Sequence, residues 1–170
     1  MTRPVVCDAG PLIHLDQLDS LDLLSDFTSV QVPEVVWAEV LKHRPKALPQ
    51  AFLQRPAAPV AADADTLALC RGFSLDAGDA ACLALLATQK DFLFLTDDSA
   101  ARLVAEQLKI EVHGTLGLPI RGARKGKRTP AQVIQTLESL PSRSTLYISP
   151  HLLVELVQKL KGEWGIPGKV

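Results

Sequence analysis

Two short apolar runs, residues 4–7 and 92–96, each end in aspartate and lead straight into a helical pattern. Pro4-Val5-Val6-Cys7 is followed by Asp8, and Phe92-Leu93-Phe94-Leu95-Thr96 by Asp97-Asp98. Apolar runs of this length predict buried strands rather than helices. Strands that alternate with helices imply βα units and a mainly parallel sheet with helices on its faces. In such sheets functional groups gather beyond the C-terminal ends of the strands. Both runs therefore aim their aspartates at one crevice.

The rest of the chain fits that α/β pattern. Leu12, Ile13, Leu15, Leu18, Leu21, Leu23 and Leu24 recur at helical spacing, with Asp16, Asp19, Asp22 and Asp26 between them. This predicts an amphipathic helix, broken near Asp19-Ser20, with the aspartates on a solvated face. A short strand is expected at 30–32 and a helix over 33–42, with Pro33 in its first turn. Residues 43–62 hold four of the twelve prolines, which predicts a loop carrying a short helix near 50–54. Helices follow over 64–72, 76–89, 98–108 and 115–125, with a strand at 110–113. Thr129-Pro130 and Ser149-Pro150 open the last two helices by N-cap and proline chemistry. The tail from Gly162 is expected to fray.

A length of 170 residues suits one domain with a small extension. The division expected is a domain over 1–128 and a C-terminal helical extension over 129–170 packed on or beside it. The longest uninterrupted apolar run, 80–87, is far shorter than the roughly 20 residues of a membrane-spanning helix. Asp8 interrupts what would otherwise read as a signal-peptide core, so a cytoplasmic protein is expected. Cys7, Cys70 and Cys82 have neither metal nor disulfide spacing and read as reduced thiols.

Charge is distributed unevenly. Residues 1–100 carry 7 Lys and Arg against 14 Asp and Glu, a net of −7, and residues 101–170 carry 11 against 5, a net of +6. An acidic half gathers cations and a basic half holds a polyanion. Within the acidic half, Asp8 and Asp98 follow strands, while Glu39 and Asp79 lie in otherwise apolar helical segments. A carboxylate among apolar residues is costly unless its charge is compensated. Several converging carboxylates raise one another's pKa unless a cation sits among them, and hard oxygen-seeking ions, Mg²⁺ or Mn²⁺, are the natural partners. Taken singly, each has a plainer reading: Asp98 as an N-cap, Asp79 in a capping arrangement with Asp76, Glu39 as an exposed helix residue. In the basic half, Arg121, Arg124, Lys125, Lys127 and Arg128 fall within eight residues. They are read either as phosphate-backbone contacts or as cations favoured at a helix C-terminus. The four histidines share no pattern, so histidine acid–base catalysis is not invoked.

These residues resemble a known family. Cys7-Asp8-Ala9-Gly10-Pro11-Leu12-Ile13 is similar to the opening of PIN-domain nucleases, and residues 33–41 with Glu39 to their second acidic element. Leu75-Asp76-Ala77-Gly78-Asp79-Ala80-Ala81 resembles the third and Leu95-Thr96-Asp97-Asp98 the fourth. Ala100-Ala101-Arg102-Leu103-Val104-Ala105 and Gly114-Thr115-Leu116-Gly117 resemble one prokaryotic branch of the family. The resemblance runs from about residue 5 to 128. It implies a PIN-like three-layer fold and a metal-dependent ribonuclease, the VapC-like toxin of a toxin–antitoxin pair. Carried over by position, Asp8, Glu39, Asp79 and Asp98 are the implied catalytic and metal-binding carboxylates, with Asp97 in the neighbouring slot as a further metal ligand. The implied partners are RNA and a small antitoxin protein, and a homodimer is left open. Two positions depart from the family's pattern: Gly10 stands where a hydroxyl residue is common, and Asp79 where this branch more often has Glu. The alternatives are a non-enzymatic PIN-like module that binds RNA or protein through a weakened metal site, and a phosphatase-like enzyme with Asp8 as nucleophile. The latter usually has a second aspartate two residues on, where this chain has Gly10.

Overall fold

The computed structural model describes residues 3–89 and 91–167. Five short strands form an all-parallel sheet in the order β3-β2-β1-β4-β5: β1 (Val5–Cys7), β2 (Val30–Gln31), β3 (Leu53–Gln54), β4 (Leu93–Leu95) and β5 (Val112–His113). The centre of the sheet is wholly apolar because helices cover both faces: Val5, Val6, Cys7, Phe94 and Leu95 are fully buried. Burying a side chain the size of Leu or Phe contributes about 1.5–3 kcal/mol, so these few residues anchor the fold.

The helices are α1 (Ala9–Gln17), α2 (Glu34–His43), α3 (Ala64–Gly72), α4 (Ala77–Ala87), α5 (Ser99–Gln107), α6 (Gly117–Arg124), α7 (Pro130–Arg143) and α8 (Pro150–Glu163). The break expected near Asp19-Ser20 is present. α1 stops at Gln17, Asp19 turns the chain in the left-handed region (φ 49°), and a 3₁₀ helix, Leu21–Asp26, leads on to β2. The short helix expected near 50–54 is corrected to strand: Leu53 and Gln54 pair with Val30 and Gln31, and Val32 N–H donates to Gln54 O at 2.9 Å. A two-residue strand carries no periodicity, so only its distant partner identifies it.

Two apolar clusters hold the molecule together. The larger surrounds the sheet; the smaller joins Val133, Ile134, Leu137 and Leu140 of α7 to Leu153, Val157 and Leu160 of α8, and Leu18 enters it from the end of α1. α6 spans both, with Leu118 in the first and Leu116, Ile120 and Ala123 against the second. α7 starts with a capping box: Gln132 N–H donates to Thr129 Oγ1 and Thr129 N–H to Gln132 Oε1. The tail expected to fray from Gly162 is helical to Glu163, and Trp164 and Ile166 pack on the second cluster. The rest of that expectation, residues 168–170, lies outside the described residues.

Asp19 and Asp22 lie on the solvated face expected of the first amphipathic stretch, whereas Asp16 and Asp26 are half-buried, and all four meet basic partners. Asp16 pairs with Arg44, Asp19 with Arg143, Asp22 with Arg128, and Asp26 with both Lys125 and Lys127. Sequence periodicity finds the polar side of this stretch, but the basic partners arrive from elsewhere in the chain.

Candidate active site

The sheet order places the topological switch between β1 and β4, where connections leave in opposite directions and open a crevice. Asp8 N–H donates to Leu95 O at 2.9 Å, so the two strand ends lie side by side. From this point α1 leaves behind Asp8 and α5 behind Asp98. Asp98 caps α5, accepting a hydrogen bond from Ala101 N–H at 2.7 Å. Asp76 caps α4 in the same way, accepting from Asp79 N–H at 2.9 Å. The capping roles expected of Asp98 and Asp76 are therefore real, and they coexist with the convergence of carboxylates.

Asp8, Glu39, Asp97 and Asp98 line one open cleft together with Gly10, His14 and Ser99. Asp79 approaches the same group from α4. Burial and the charges of Asp8, Asp76, Asp98 and Glu39 push its carboxyl up to about 8. Burial, with the charges of Asp76 and Glu39, pushes Asp8 up to about 6. Asp79 is 5% exposed and its Oδ1 has no hydrogen-bond partner. A buried carboxylate oxygen with no donor, among four other carboxylates, needs a cation or a proton.

Asp97 stands apart. His14 Nδ1 lies 2.8 Å from its Oδ2, Thr115 N–H donates to Oδ1 at 2.7 Å, and Thr115 Oγ1 donates to Oδ2 at 2.6 Å. Burial alone would raise its pKa, but these bonds hold it below the usual carboxylate range. Both oxygens are already satisfied, so Asp97 fixes His14 and the turn after β5 against the sheet end. Gly114 makes that turn fit: a Cβ there would lie 3.0 Å from Asp97 Oδ1 and 3.1 Å from Arg102 Nη1.

His14, Thr115, Arg102 and Asp76 were not among the expected site residues. Thr115 and Arg102 lie in segments that carried the family resemblance, so a signal for them was present. His14 had none, because its partner is 83 positions away.

The basic cluster lies elsewhere. Lys125 and Lys127 reach Asp26 at 2.9 and 2.5 Å, Arg128 reaches Asp22, and the Arg121 guanidinium lies over the Phe27 ring at 4.4 Å from its centroid. Asp26 and Phe27 precede β2, at the edge of the sheet opposite Asp8. Arg124 alone of the five is exposed with no ion-pair partner among the described residues.

The carboxylates suit a hard divalent ion. Among the described residues no three donors close into a ready-made cage. Mg²⁺ does not need one: it keeps several waters and is usually held through one or two carboxylates plus phosphate oxygens. The orphaned Asp79 Oδ1 and the raised Asp8 carboxyl are the groups such an ion would satisfy.

A family model described as a PIN domain matches residues 4–162. A comparison with curated proteins gives no match. PIN domains are generally nucleases and typically use divalent metal ions.

Proposed function

The chain belongs to the PIN-domain family, and on that premise we propose that it is a Mg²⁺- or Mn²⁺-dependent endoribonuclease. The observation that carries the reading is the buried, partnerless carboxylate oxygen of Asp79 beside Asp8, Glu39 and Asp98 at the switch point of the sheet. A bound divalent ion supplies an activated water and neutralises charge on the phosphate. The chain's own part is to hold that ion: Asp8, Glu39 and Asp98 line the open cleft, and Asp79 backs them from α4. An RNA phosphate entering this cleft meets carboxylates of its own sign, so ion binding and substrate binding are coupled. Asp97 keeps its oxygens on Thr115 and His14, and so holds the imidazole at the cleft wall.

The further reading is that of a cytoplasmic toxin held inactive by a small antitoxin protein. It is supported by the resemblance of residues 100–105 and 114–117 to one prokaryotic branch of the family. Among the described residues no helix is long and apolar enough to cross a membrane.

The test is cleavage of labelled RNA by purified protein with Mg²⁺, with Mn²⁺ and with EDTA, beside Asp8→Asn. Metal-dependent cleavage lost in Asp8→Asn supports the enzyme. RNA binding with no cleavage in either metal would leave the non-enzymatic binding module instead.

A further inference from the structure

Residues 144–149 join α7 to α8 without helix or strand, yet they are firmly tied. Gln17 Oε1, at the end of α1, accepts from Thr145 N–H at 2.8 Å and from Ser144 Oγ at 2.9 Å. Gln17 Nε2 donates to Thr145 Oγ1 at 3.2 Å, and Leu146 N–H donates to Ser144 Oγ at 3.2 Å. Leu146 and Ile148 pack against the second apolar cluster. Between them Tyr147, the chain's one tyrosine, is 85% exposed, more than any other exposed large hydrophobic residue described.

The ring stands where two depressions meet. One is the carboxylate cleft, whose wall includes Thr145, Leu146 and Tyr147 beside Asp8, Glu39 and Asp98. The other holds Arg102, His113 and Gly114 and shares Tyr147. Arg102 Nη1 donates to Thr96 O at 3.1 Å, which fixes the guanidinium at this rim with other N–H groups left to donate. Other aromatic rings in the chain have intramolecular work: Trp37 lies under Arg55 and Phe27 under Arg121. Tyr147 has no hydrogen-bond or ring partner among the described residues.

A polynucleotide alternates phosphates with flat apolar bases. The rim presents the same alternation: carboxylates that gather cations for one phosphate, an exposed ring, then a guanidinium. We propose that Tyr147 is the stacking platform for the base beside the scissile phosphate, with Arg102 receiving the next phosphate along the strand. This rests on the nuclease reading above and adds to it the element that sets substrate placement. The C-terminal extension thereby contributes directly to the site, and Gln17 is the positioning residue that holds its loop. A ring stacks on any base, so the placement tolerates many sequences but requires an unpaired base.

The experiment measures binding of a fluorescein-labelled single-stranded oligoribonucleotide in Ca²⁺ by anisotropy, at two salt concentrations, for the parent, Tyr147→Ala, Tyr147→Phe and Arg102→Gln. Cleavage in Mg²⁺ and Mn²⁺ is followed in parallel. Tyr147→Ala is expected to weaken binding by about 5- to 100-fold with an unchanged salt slope, because stacking releases no counterions. It raises KM far more than it lowers kcat. Tyr147→Phe keeps the ring and binds within about twofold of the parent, and the melting temperature of both variants matches the parent's. Arg102→Gln reduces the slope of log K against log salt by roughly 0.7. Equal binding by Tyr147→Ala and the parent overturns the proposal, as does Tyr147→Phe binding as weakly as Tyr147→Ala, equal affinity for a fully paired duplex, or no RNA binding by the parent. If the parent binds, Tyr147→Ala fails to bind and neither metal supports cleavage, the stacking surface stands and the nuclease reading falls. If the parent cleaves and Tyr147→Ala is equally active and tight, the reverse holds.

Discussion

The two ends of the sheet both concentrate charge and treat it in opposite ways. At the C-terminal edge, Asp8, Glu39, Asp79 and Asp98 converge with like charges as neighbours, and one Asp79 oxygen is buried without a partner. At the other edge, Asp22 and Asp26 meet Arg128, Lys125 and Lys127, and each acid is answered by a base. Balanced charge ties α6 and the loop after it to the 3₁₀ helix. Unbalanced charge costs stability unless a proton or a ligand compensates it, which is why the C-terminal edge is the one we propose as the functional site.

The sharpest way to break this contrast is to remove an acid from each end. Asp8→Asn is expected to lower cleavage by about 10²-fold or more while the fold persists, on the scale of losing one main electrostatic group at an active site. Asp19→Asn, on the paired side, leaves cleavage at the parental level. A gel assay of labelled RNA in Mg²⁺ measures both. Parental cleavage by Asp8→Asn would place the chemistry elsewhere.

The pH dependence of stability comes next. With carboxyl groups at about 6 for Asp8 and about 8 for Asp79, against 3.8 ordinarily, the folded protein holds protons that the unfolded chain has released. Without metal, stability therefore falls as pH rises from about 4 to about 8 and then levels. A divalent ion binds the ionised carboxylates, so the gain in Tm on adding Mg²⁺ grows across the same window. Thermal melts near pH 5 and pH 8, with Mg²⁺ and with EDTA, test this. A metal effect that is largest at the lower pH would contradict it.

Asp26→Asn sharpens the comparison from the other end. Losing partners for Lys125 and Lys127 costs about 1 kcal/mol, the upper range for pairs of this exposure. That amounts to a Tm lower by about 2–4 °C in a protein of this size. kcat on RNA stays unchanged. A fall in kcat at constant Tm would mean that the basic end belongs to the site.

The smallest expected effect is at Arg124. Arg124 is the one cation of its cluster that is exposed with no ion-pair partner among the described residues, so under the proposed reading it is the one expected to meet an RNA phosphate. Arg124→Ala is expected to reduce the salt slope of binding by roughly 0.7 and to leave Tm as it was. Anisotropy titrations at two salt concentrations distinguish this from an unchanged slope, which would make the whole basic cluster structural.

Much of the carboxylate arrangement was legible in the chain itself because its causes are local. A short apolar strand followed by Asp and a helix places Asp8 and Asp98 at strand-to-helix junctions. The Asp76 and Asp98 caps and the capping box at Thr129 each act over three residues. The apolar run over 80–87 likewise marks α4 as buried, and N-cap and proline signals mark the starts of α7 and α8. The convergence of these acids follows from the βα rule without any distant contact being known.

Tertiary structure alone decided which charges are answered. Asp26 reaches Lys125 and Lys127, Asp97 reaches His14 and Thr115, and Gln17 reaches Thr145. These partners stand far apart in the chain, and nothing in local propensity selects among the acids and bases available. The same holds for β3, whose two residues become strand only against β2. Local forces place a side chain at the end of a strand or on one side of a helix. Whether its charge is then neutralised or left for a ligand depends on which distant segment packs beside it.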